Sequence, residues 1–398
     1  MLSATAHLRD QLQAMLAEGA PRAIQREQTQ FDELTENRRD SIVLFGASRL
    51  GRRTLDGLRR ARIEPLGFSD NDPKLWGTDI EGVPVYSPAD AVERFGSRAV
   101  FVITIWGKGS QDTMSARRQK LRDLGAPCVV PFVPLYWKFA EFLLPHNALD
   151  LPHYVVESAA DVLRSFDVLA DDHSRDQFFR QITWRLTGDF DALGDPIKEE
   201  IYFPSGITSY NGQETFIDCG AYDGDTILRF LDRTQGAFHK VFAFEPDPAN
   251  LSALDKTISS LPVAVQQKIR IFPYALGDVT CKVRFSATGT LGAAVGEGDL
   301  EIDCVRLDDV LESEMPTYIK MDIEAYEPNA LRGGAEIIRR HQPVIAACSY
   351  HVQDHVWTIP LIMKEINPGY AILMRQHIQL VEDLVTYAVP QQRLAAGS

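Results

Sequence analysis

The stretch Thr215-Phe-Ile-Asp-Cys-Gly-Ala-Tyr-Asp-Gly-Asp-Thr226 decides how the second half of this 398-residue chain is interpreted. Its first three residues are an apolar run that suits a strand buried on both faces, and we expect the strand to stop at Asp218. Gly220 and Gly224 then predict a tight turn in which the backbone bends sharply and approaches a ligand. Apolar residues at helical spacing follow from Thr226 onward, so the stretch predicts a strand, a glycine-rich turn and a helix.

The acidic residues of this turn bear on what it could bind. Asp218, Asp223 and Asp225 would repel the diphosphate of a dinucleotide, but they suit a ligand that carries an amino group and a sulfonium. Glu245, 21 residues after Gly224, ends a second apolar run, where an acidic residue can grip ribose hydroxyls. The pattern favours S-adenosylmethionine over a dinucleotide. Alternatively, the aspartates only cap the helix and solvate the turn.

Composition limits the classes of protein that this chain can belong to. Hydrophobic residues make up 45% and charged residues 24%, which is typical of globular proteins, and the length suits two domains. A net charge of −14 argues against a nucleic-acid partner or an anionic membrane, because either would be repelled. The densest basic stretch, 49–62, is short, and we interpret it as the solvated face of one helix.

Cysteines and the first residues indicate the compartment. The five cysteines are scattered, with neither metal-site spacing nor a disulfide framework, which predicts a reducing environment. The first forty residues are amphipathic and charged, unlike a signal peptide, and no apolar run approaches the length of a membrane span. We therefore expect a cytoplasmic protein.

Residues 1–40 are predicted to form one or two helices. Four apolar side chains fall on one helical face: Leu8, Leu12, Met15 and Leu16. This face could pack on the body of the chain or on a second copy, which would make a homodimer.

A βαβ pattern is predicted over residues 41–135, opened by a buried strand, a turn from Gly46 to Gly51 and a helix. A second strand ends at Asp70, 19 residues after Gly51. With Ser48 inside the turn, this segment resembles the amino-terminal nucleotide-sugar-binding domains of some sugar-modifying acyltransferases. The resemblance implies a second mononucleotide-type site. A domain that serves docking or dimerisation is the alternative.

The carboxy-terminal half contains further strands, one of them running from Arg270 to Leu276. Segments 282–285 and 300–305 alternate apolar and polar residues around the glycine-rich segment 289–298, which predicts a solvent-facing hairpin. The predicted buried strands end at Asp218, Glu245, Ala275, Asp322 and Tyr350. Their polar groups should gather at one edge of a sheet, where open α/β folds bind ligands.

The domain organisation follows from these elements. We predict an α/β protein with two Rossmann-like three-layer domains. The predicted segments are a helical amino-terminal segment at 1–40, an accessory domain at 41–135, a helical linker region at 136–200, a ligand-binding domain at 201–390 and a disordered tail at 391–398.

A family resemblance covers roughly residues 200–390. The motifs that carry it are Phe216-Ile-Asp-Cys-Gly-Ala-Tyr-Asp-Gly224, Phe242-Ala-Phe-Glu-Pro246, Tyr274-Ala-Leu-Gly277, Leu307-Asp-Asp-Val310, Ile319-Lys-Met-Asp-Ile-Glu-Ala-Tyr-Glu327 and Leu331-Arg-Gly-Gly-Ala335. In this order they resemble the FkbM family of S-adenosylmethionine-dependent methyltransferases. The resemblance implies a class I fold with a seven-stranded sheet whose last strand is antiparallel. It also implies O-methylation of a hydroxyl on a sugar, glycan or secondary metabolite. Ala325 departs from the family, which usually carries glycine there.

The resemblance also implies roles for individual residues. Asp218 and Gly220 would lie by the methionine portion of the cofactor, Glu245 would take the ribose hydroxyls, and the segment 274–276 would border adenine. The full set of cofactor-binding candidates is Asp218, Gly220, Ala221, Asp223, Gly224, Asp225, Thr226, Glu245, Pro246, Tyr274, Ala275 and Leu276.

Candidates for the proton acceptor of the methyl-accepting hydroxyl lie at the ends of the predicted strands that stop at Asp322 and Tyr350. Asp322, Glu324 and His351 lie there, and one of them, with Lys320 orienting its neighbours, is our candidate base. Alternatively, the two carboxylates cap the following helix.

The same place also offers side chains that could bind a metal ion. His351 and His355 are four residues apart and, with Asp322, offer three ligands for one divalent ion. Because Val352 stands where a metalloprotease motif has glutamate, we favour a solvated helix start and predict no metal site.

Two other classes of function stay open. The first is an NAD-linked sugar-modifying enzyme that uses the turn at Gly46. The second is a non-catalytic assembly module in which both nucleotide folds are relics.

Overall fold

A computed structural model of the chain describes residues 4–36, 38, 40–106, 113–210, 212–287, 294–296, 298–378 and 380–395. The chain divides into two compact units. The amino-terminal unit comprises residues 1–163, 179–195 and 378–382, and the carboxy-terminal unit comprises residues 164–178, 196–377 and 383–398.

The amino-terminal unit is built from short strands and helices. Its strands are β1 Ile42–Phe45, β2 Gly67–Ser69, β3 Asp79–Ile80, β4 Val83–Tyr86, β5 Val100–Ile103 and β6 Val129–Pro131. Its helices are α1 Ala4–Leu16, α2 Ala20–Thr35, α3 Arg49–Arg60, α4 Pro88–Phe95, α5 Met114–Asp123, α6 Phe132–Lys138, α7 Ala140–Leu143 and α8 Pro152–Glu157, with 3-10 turns at Pro73–Leu75 and Phe190–Leu193. Helices α9 Ala159–Val168 and α10 Asp172–Thr187 have residues in both units.

The strands of this unit form one sheet in the order β3-β4-β2-β1-β5-β6. All pairs are parallel except β3 with β4. Asp70 comes directly after β2, and its carboxylate accepts the backbone N–H of Ala47 at 2.7 Å and of Asp72 at 2.8 Å. The predicted βαβ pattern is therefore present. Its resemblance to nucleotide-sugar-binding domains stays a prediction.

The amino-terminal helices belong to the same unit as this sheet. Two helices are present, α1 and α2, and α2 packs against α6 and α8. Leu12, Leu16 and Phe31 are buried within the monomer. These helices therefore pack within their own unit, and dimerisation through the face of α1 stays a prediction.

The carboxy-terminal unit holds the remaining elements. Its strands are β7 Thr215–Cys219, β8 Lys240–Phe244, β9 Ile269–Phe272, β10 Ala275–Leu276, β11 Cys281–Ser286, β12 Ala294–Val295, β13 Leu300–Val305, β14 Tyr318–Met321, β15 Val344–Cys348, β16 Tyr370–Gln376 and β17 Leu384–Pro390. Its helices are α11 Asp225–Arg233, α12 Pro248–Ser259, α13 Val263–Gln266, α14 Leu307–Val310, α15 Glu327–Gly333, α16 Ala335–His341 and α17 His355–Ile366, with a 3-10 turn at Gln391–Arg393.

Seven strands of this unit form its main sheet, in the order β16-β17-β15-β14-β7-β8-β9. Strand β17 runs antiparallel to both of its neighbours, and the other pairs are parallel. Every residue of β7, β14 and β15 is buried, as expected for parallel strands covered on both faces. This architecture confirms the predicted α/β class and the antiparallel last strand.

A second, four-stranded sheet has the order β10-β13-β11-β12. The predicted hairpin is confirmed in its pairing, because β11 and β13 are antiparallel, while most of the segment 289–298 lies outside the described residues. The single strand predicted from Arg270 to Leu276 is wrong. The chain leaves the main sheet after Phe272, and Ala275 and Leu276 pair with β13 instead. Pro273 follows Phe272, and because it lacks a backbone N–H it cannot extend the ladder.

Both ends of the carboxy-terminal unit differ from the prediction. The segment 164–178, placed in a linker, joins this unit because Arg375 donates to Asp171 at 2.6 Å and Met374 donates to Ser174 at 2.8 Å. Residues 391–395, predicted as part of a disordered tail, are ordered, and Arg393 pairs with Glu214 at 2.8 Å. Residues 396–398 lie outside the described residues.

Two further predictions concern membranes and cysteines. No helix in the described part of the chain has the length and apolar character needed to cross a bilayer. The five cysteines, all in the described residues, are free thiols, and only Cys281 is exposed.

Candidate active site

The glycine-rich turn after β7 is in direct contact with the end of β14. Gly220 has a φ of +86°, and a Cβ there would lie 1.9 Å from the carbonyl oxygen of Asp322. Gly224 has a φ of +90°, and a Cβ there would lie 3.0 Å from the side chain of Leu254. Between them, Ala221 is buried and donates its N–H to the last residue of β8 at 3.0 Å. Both glycines are needed for the turn to pack this closely.

Asp218 lies inside β7, which continues to Cys219, so the expectation that the strand stops at this charge is wrong. The strand register sets Asp218 beside Lys320 of β14, and Lys320 Nζ lies 3.0 Å from Asp218 Oδ1. This pairing lets a carboxylate stay in a fully buried strand. Burial raises the pKa of Asp218 to about 6, against the attraction of Lys320.

The same two residues are unequal in their hydrogen bonding. Among the described residues, neither oxygen of Asp218 has a hydrogen-bond partner, although both are buried. Lys320 Nζ donates instead to the carbonyl oxygen of Gly220 at 2.6 Å. The lysine therefore fixes the turn and leaves the carboxylate with acceptor capacity to spare.

Glu245 follows β8 directly and joins two segments of backbone. Its Oε2 accepts the N–H of Tyr222 at 2.9 Å, and its Oε1 accepts the N–H of Asp247 at 2.9 Å. Asp247 caps the first turn of α12 through the N–H groups of Ala249 and Asn250. Glu245 is 5% exposed, and burial raises its pKa although these backbone donors oppose the shift. Its carboxylate holds the turn in place and keeps lone pairs that a ligand can use.

The other acidic residues of the turn face outward. Asp223 accepts the N–H of Asp225 at 3.2 Å, and Asp225 lies 3.4 Å from Arg229 on the next turn of α11. The hydroxyl of Thr226 donates to Asp225 at 3.3 Å. Of the alternative raised from the sequence, solvation describes Asp225, whereas α11 has no side-chain cap, and neither solvation nor capping describes the buried Asp218.

The candidates for the adenine side lie in two elements. Ala275 and Leu276 are buried in β10, and Tyr274 is half-buried beside Phe272, with ring centroids 6.2 Å apart. Pro246 is half-buried after β8. The prediction that Ala275 ends a strand of the main sheet is therefore wrong, because Ala275 pairs with β13 in the second sheet.

Asp322, Glu324 and His351 are brought together, as the sequence predicted. Asp322 follows β14, His351 lies shortly after β15, and His351 Nε2 lies 3.2 Å from Asp322 Oδ1 and 3.7 Å from Glu324 Oε1. On its other side, His351 Nδ1 hydrogen-bonds Oε1 of the fully buried Glu327 at 2.9 Å. His355 faces Oε2 of Glu327 at 3.4 Å.

The pKa values in this cluster follow from its charges. Burial alone would lower the pKa of His351, but Glu327, Asp322 and Glu324 together raise it well above its ordinary value. Burial would raise the pKa of Asp322, yet His351 and Lys320 outweigh it and hold that pKa below its ordinary value. The pKa of Glu327 is likewise lowered, because His351 and His355 outweigh its burial.

The backbone of this cluster is unusual at two consecutive residues. Glu324 has a φ of +50° and Ala325 a φ of +83°, both in the left-handed region. Ala325 is the position where the FkbM resemblance implies glycine, and its positive φ explains why glycine suits that position. The following helix, α15, begins after Tyr326 without a side-chain cap. Asp322 and Glu324 therefore do not cap this helix.

Two residues of the site are not among the candidates that the sequence indicates. The hydroxyl of Tyr202 donates to Asp322 Oδ2 at 2.7 Å, and Lys320 Nζ lies 5.4 Å from the centre of the Tyr202 ring. Tyr202 lies at the predicted domain boundary, where no sequence pattern singles it out. Glu327 belongs to the motif Ile319–Glu327. Its spacing of three residues from Glu324 indicates that both carboxylates can lie on the same side of the chain.

Comparison with known families decides what kind of domain this is. Residues 218–372 match the family profile described as the methyltransferase FkbM domain. These residues are an FkbM-type methyltransferase domain. The chain is therefore a methyltransferase, and S-adenosylmethionine is its cofactor.

Solved structures place the FkbM-type domain among known folds. Methyltransferase FkbM from Methylobacillus flagellatus KT is 23% identical, with a TM-score of 0.79 over 96% of this chain and 100% of that one. This likeness shows a shared fold. Two further methyltransferases match more weakly. A precorrin-6y C5,15-methyltransferase from Geobacter metallireducens GS-15 is 10% identical, with a TM-score of 0.30 over 46% of this chain and 84% of that one. An rRNA methylase from Streptococcus thermophilus is 13% identical, with a TM-score of 0.28 over 46% of this chain and 89% of that one. No curated protein matches the sequence.

Proposed function

We propose that the FkbM-type domain transfers a methyl group from S-adenosylmethionine to a hydroxyl of a sugar, glycan or secondary metabolite. One observation carries this proposal. The glycine turn at Gly220 and the carboxylate–imidazole cluster at Asp322 meet in direct backbone contact, at the carboxyl ends of β7 and β14. A cofactor on the turn and an acceptor at the cluster would then be neighbours, which is what a displacement reaction requires.

The residues at the turn fit the proposed cofactor. A Cβ at Gly220 would fill space that the backbone needs, so the turn can approach a ligand closely. Asp218 offers two buried oxygens without hydrogen-bond partners among the described residues, and an ammonium group would satisfy them. Glu245 is held by backbone donors with lone pairs left for ribose hydroxyls. We propose these three residues as the core of the cofactor site.

The cluster supplies what a hydroxyl acceptor needs. When bound, the cofactor presents a methyl group on a sulfonium, which is already a good leaving group. A neutral hydroxyl is a weak nucleophile, and its reaction is assisted when a nearby group accepts its proton. Asp322, Glu324 and His351 form a group of acid–base side chains beside the glycine turn, and Glu327 holds His351 in place. We propose that one of the three accepts the proton.

Single substitutions test this assignment. Asp322→Asn, Glu324→Gln and His351→Gln are compared with the wild type for methyl transfer from labelled S-adenosylmethionine to a panel of sugar and alcohol hydroxyls. Loss of the proton acceptor should lower turnover roughly a hundredfold or more. Calorimetric affinity for S-adenosylhomocysteine should stay within about twofold, because the turn is unchanged.

Glu365→Gln is the matched control, since Glu365 is exposed on α17 away from the cluster. It should leave turnover unchanged. Full activity in all three cluster variants would remove the proposed proton acceptor, and the absence of any binding of S-adenosylhomocysteine to the wild type would contradict the proposed cofactor site.

A further inference from the structure

The side chains of Asp322, Glu324 and His351 are arranged as ligands of one cation. One donor atom from each residue lies within 4.8 Å of the other two. His351 Nε2 lies 3.2 Å from Asp322 Oδ1 and 3.7 Å from Glu324 Oε1. Ligands bonded at about 2.1 Å in tetrahedral or octahedral geometry stand roughly 3.0–3.5 Å apart. The three atoms are therefore near the spacing of a metal site before any ion is bound.

His351 is held as a metal-binding histidine is held. Its side chain is 6% exposed, and Nδ1 is engaged by the buried carboxylate of Glu327 at 2.9 Å. Nε2 points toward Asp322 and Glu324, yet it makes no aligned hydrogen bond among the described residues. A carboxylate on one ring nitrogen that fixes the other nitrogen toward a metal is a recurrent arrangement. This buried nitrogen faces two carboxylates, yet no partner in the described part of the chain forms an aligned hydrogen bond with it, which separates the cluster from an ordinary group of acidic residues.

We infer that Asp322, Glu324 and His351 bind a divalent first-row transition-metal ion, with Glu327 as the residue that orients His351. Imidazole is a poor ligand for Ca²⁺ and Mg²⁺, and two carboxylates with one imidazole suit Mn²⁺, Fe²⁺, Co²⁺ or Zn²⁺. This inference goes against the sequence-based expectation of no metal. The sequence pointed to His351 with His355, whereas the structure turns His355 toward Glu327 and supplies Glu324 instead.

The site is open on the side where an acceptor would bind. Asp322 is 22% and Glu324 33% exposed, so three protein ligands would leave further coordination positions reachable from solvent. Catalytic metal sites keep such positions, whereas structural sites close them. If the proposed methyl transfer is correct, the ion would stabilise negative charge on the acceptor oxygen as its proton leaves. That role rests on the proposed function, while ion binding itself does not.

The experiment titrates Mn²⁺ alone into the full chain, after chelator treatment and buffer exchange, at pH 8. Calorimetry and the Mn²⁺ paramagnetic resonance signal should report one ion per chain. Glu324→Gln and Asp322→Asn should each weaken that binding at least tenfold, and Glu365→Gln should leave it unchanged. Glu324 is one-third exposed, so its substitution keeps the fold, which a thermal melt verifies.

Three outcomes would overturn the inference: no Mn²⁺ binding to the wild type, more than one equivalent site, or equal binding by wild type and Glu324→Gln. Affinity for S-adenosylhomocysteine is measured on the same samples. If that ligand binds and Mn²⁺ does not, the metal site fails and the proposed methyl transfer stands. If Mn²⁺ binds at this cluster and S-adenosylhomocysteine does not bind, the proposed function fails and the metal site stands.

Discussion

Asp218 shows how a single residue can lower the stability of the folded protein and still favour ligand binding. It is fully buried, its ion pair with Lys320 is not aligned as a hydrogen bond, and its pKa is raised to about 6 by burial. The ordinary pKa of aspartate in an unfolded chain is near 4. Because the folded state disfavours the carboxylate, the contribution of this group to stability falls as pH rises from about 4 to about 6 and is constant above.

Affinity for S-adenosylhomocysteine should depend on this titration. An ammonium group needs the charged carboxylate, so affinity should fall up to about tenfold per pH unit as pH drops below about 6. Asp218→Asn removes a charge-assisted hydrogen bond of about 1.5–3 kcal/mol, which is roughly a tenfold to hundredfold loss of affinity. Calorimetry between pH 5 and pH 8 measures both effects.

Asp255→Asn is the control for this prediction, because Asp255 is exposed on α12. It should retain the wild-type affinity and pH dependence. An unchanged pH profile in Asp218→Asn would show that another group is responsible and would contradict the assignment of Asp218 to the ligand.

At the scale of elements, the site depends on how closely β7 and β14 approach at their ends. Gly220→Ala would bring a methyl group to 1.9 Å from a backbone oxygen and strain a φ of +86°. We expect a loss of more than about 3 kcal/mol in the free energy of unfolding. Gly236→Ala is matched in backbone, with a φ of +74°, but apart from its chain neighbours no described residue has an atom within 4 Å of the added carbon. That control should lose only about 1 kcal/mol.

Denaturant unfolding of the two variants measures the difference. If both lose the same amount, the close approach of the two strand ends carries no energetic weight, and the proposed contact between cofactor turn and cluster loses its support.

The elements themselves were largely predictable from the sequence, and their contacts were not. Buried parallel strands such as β7 and β14 read as short apolar runs, so their positions and the fold class followed from local pattern. Tyr202 reaches Asp322 across 120 residues of sequence, and no periodicity encodes such a contact. The break after Phe272 was missed because the apolar run continues through Pro273 into β10.

For the candidate site, the grouping of residues was likewise predictable from the sequence, and their detailed contacts were not. Asp322, Glu324 and His351 were predicted together because the carboxyl ends of neighbouring parallel strands meet at one edge of a sheet. Which nitrogen of His351 faces which carboxylate depends on packing around Glu327, which only the structure shows.

At the scale of the whole molecule, the two units share one hydrogen-bonding arrangement, in which a carboxylate after one strand accepts a backbone N–H from the turn after the neighbouring strand. Asp70 accepts the N–H of Ala47 in the turn after β1, and Glu245 accepts the N–H of Tyr222 in the turn after β7. This likeness makes a second nucleoside site, in the amino-terminal unit, worth testing. The glycine turn with a buried aspartate is found in the carboxy-terminal unit, so we expect the cofactor to act there.

Thermal unfolding of the full chain distinguishes these alternatives. S-adenosylhomocysteine at a hundred times its Kd should stabilise the native state by about 2.7 kcal/mol. For a unit of roughly 200 residues, this corresponds to a rise in Tm of about 5–10 °C. Asp70→Asn should retain the shift and Asp218→Asn should lose most of it, because only Asp218 lies in the proposed site. NAD at the same concentration should produce no shift. A shift with NAD that Asp70→Asn abolishes would instead indicate a second nucleoside site in the amino-terminal unit, and no shift with S-adenosylhomocysteine would contradict the proposed cofactor site.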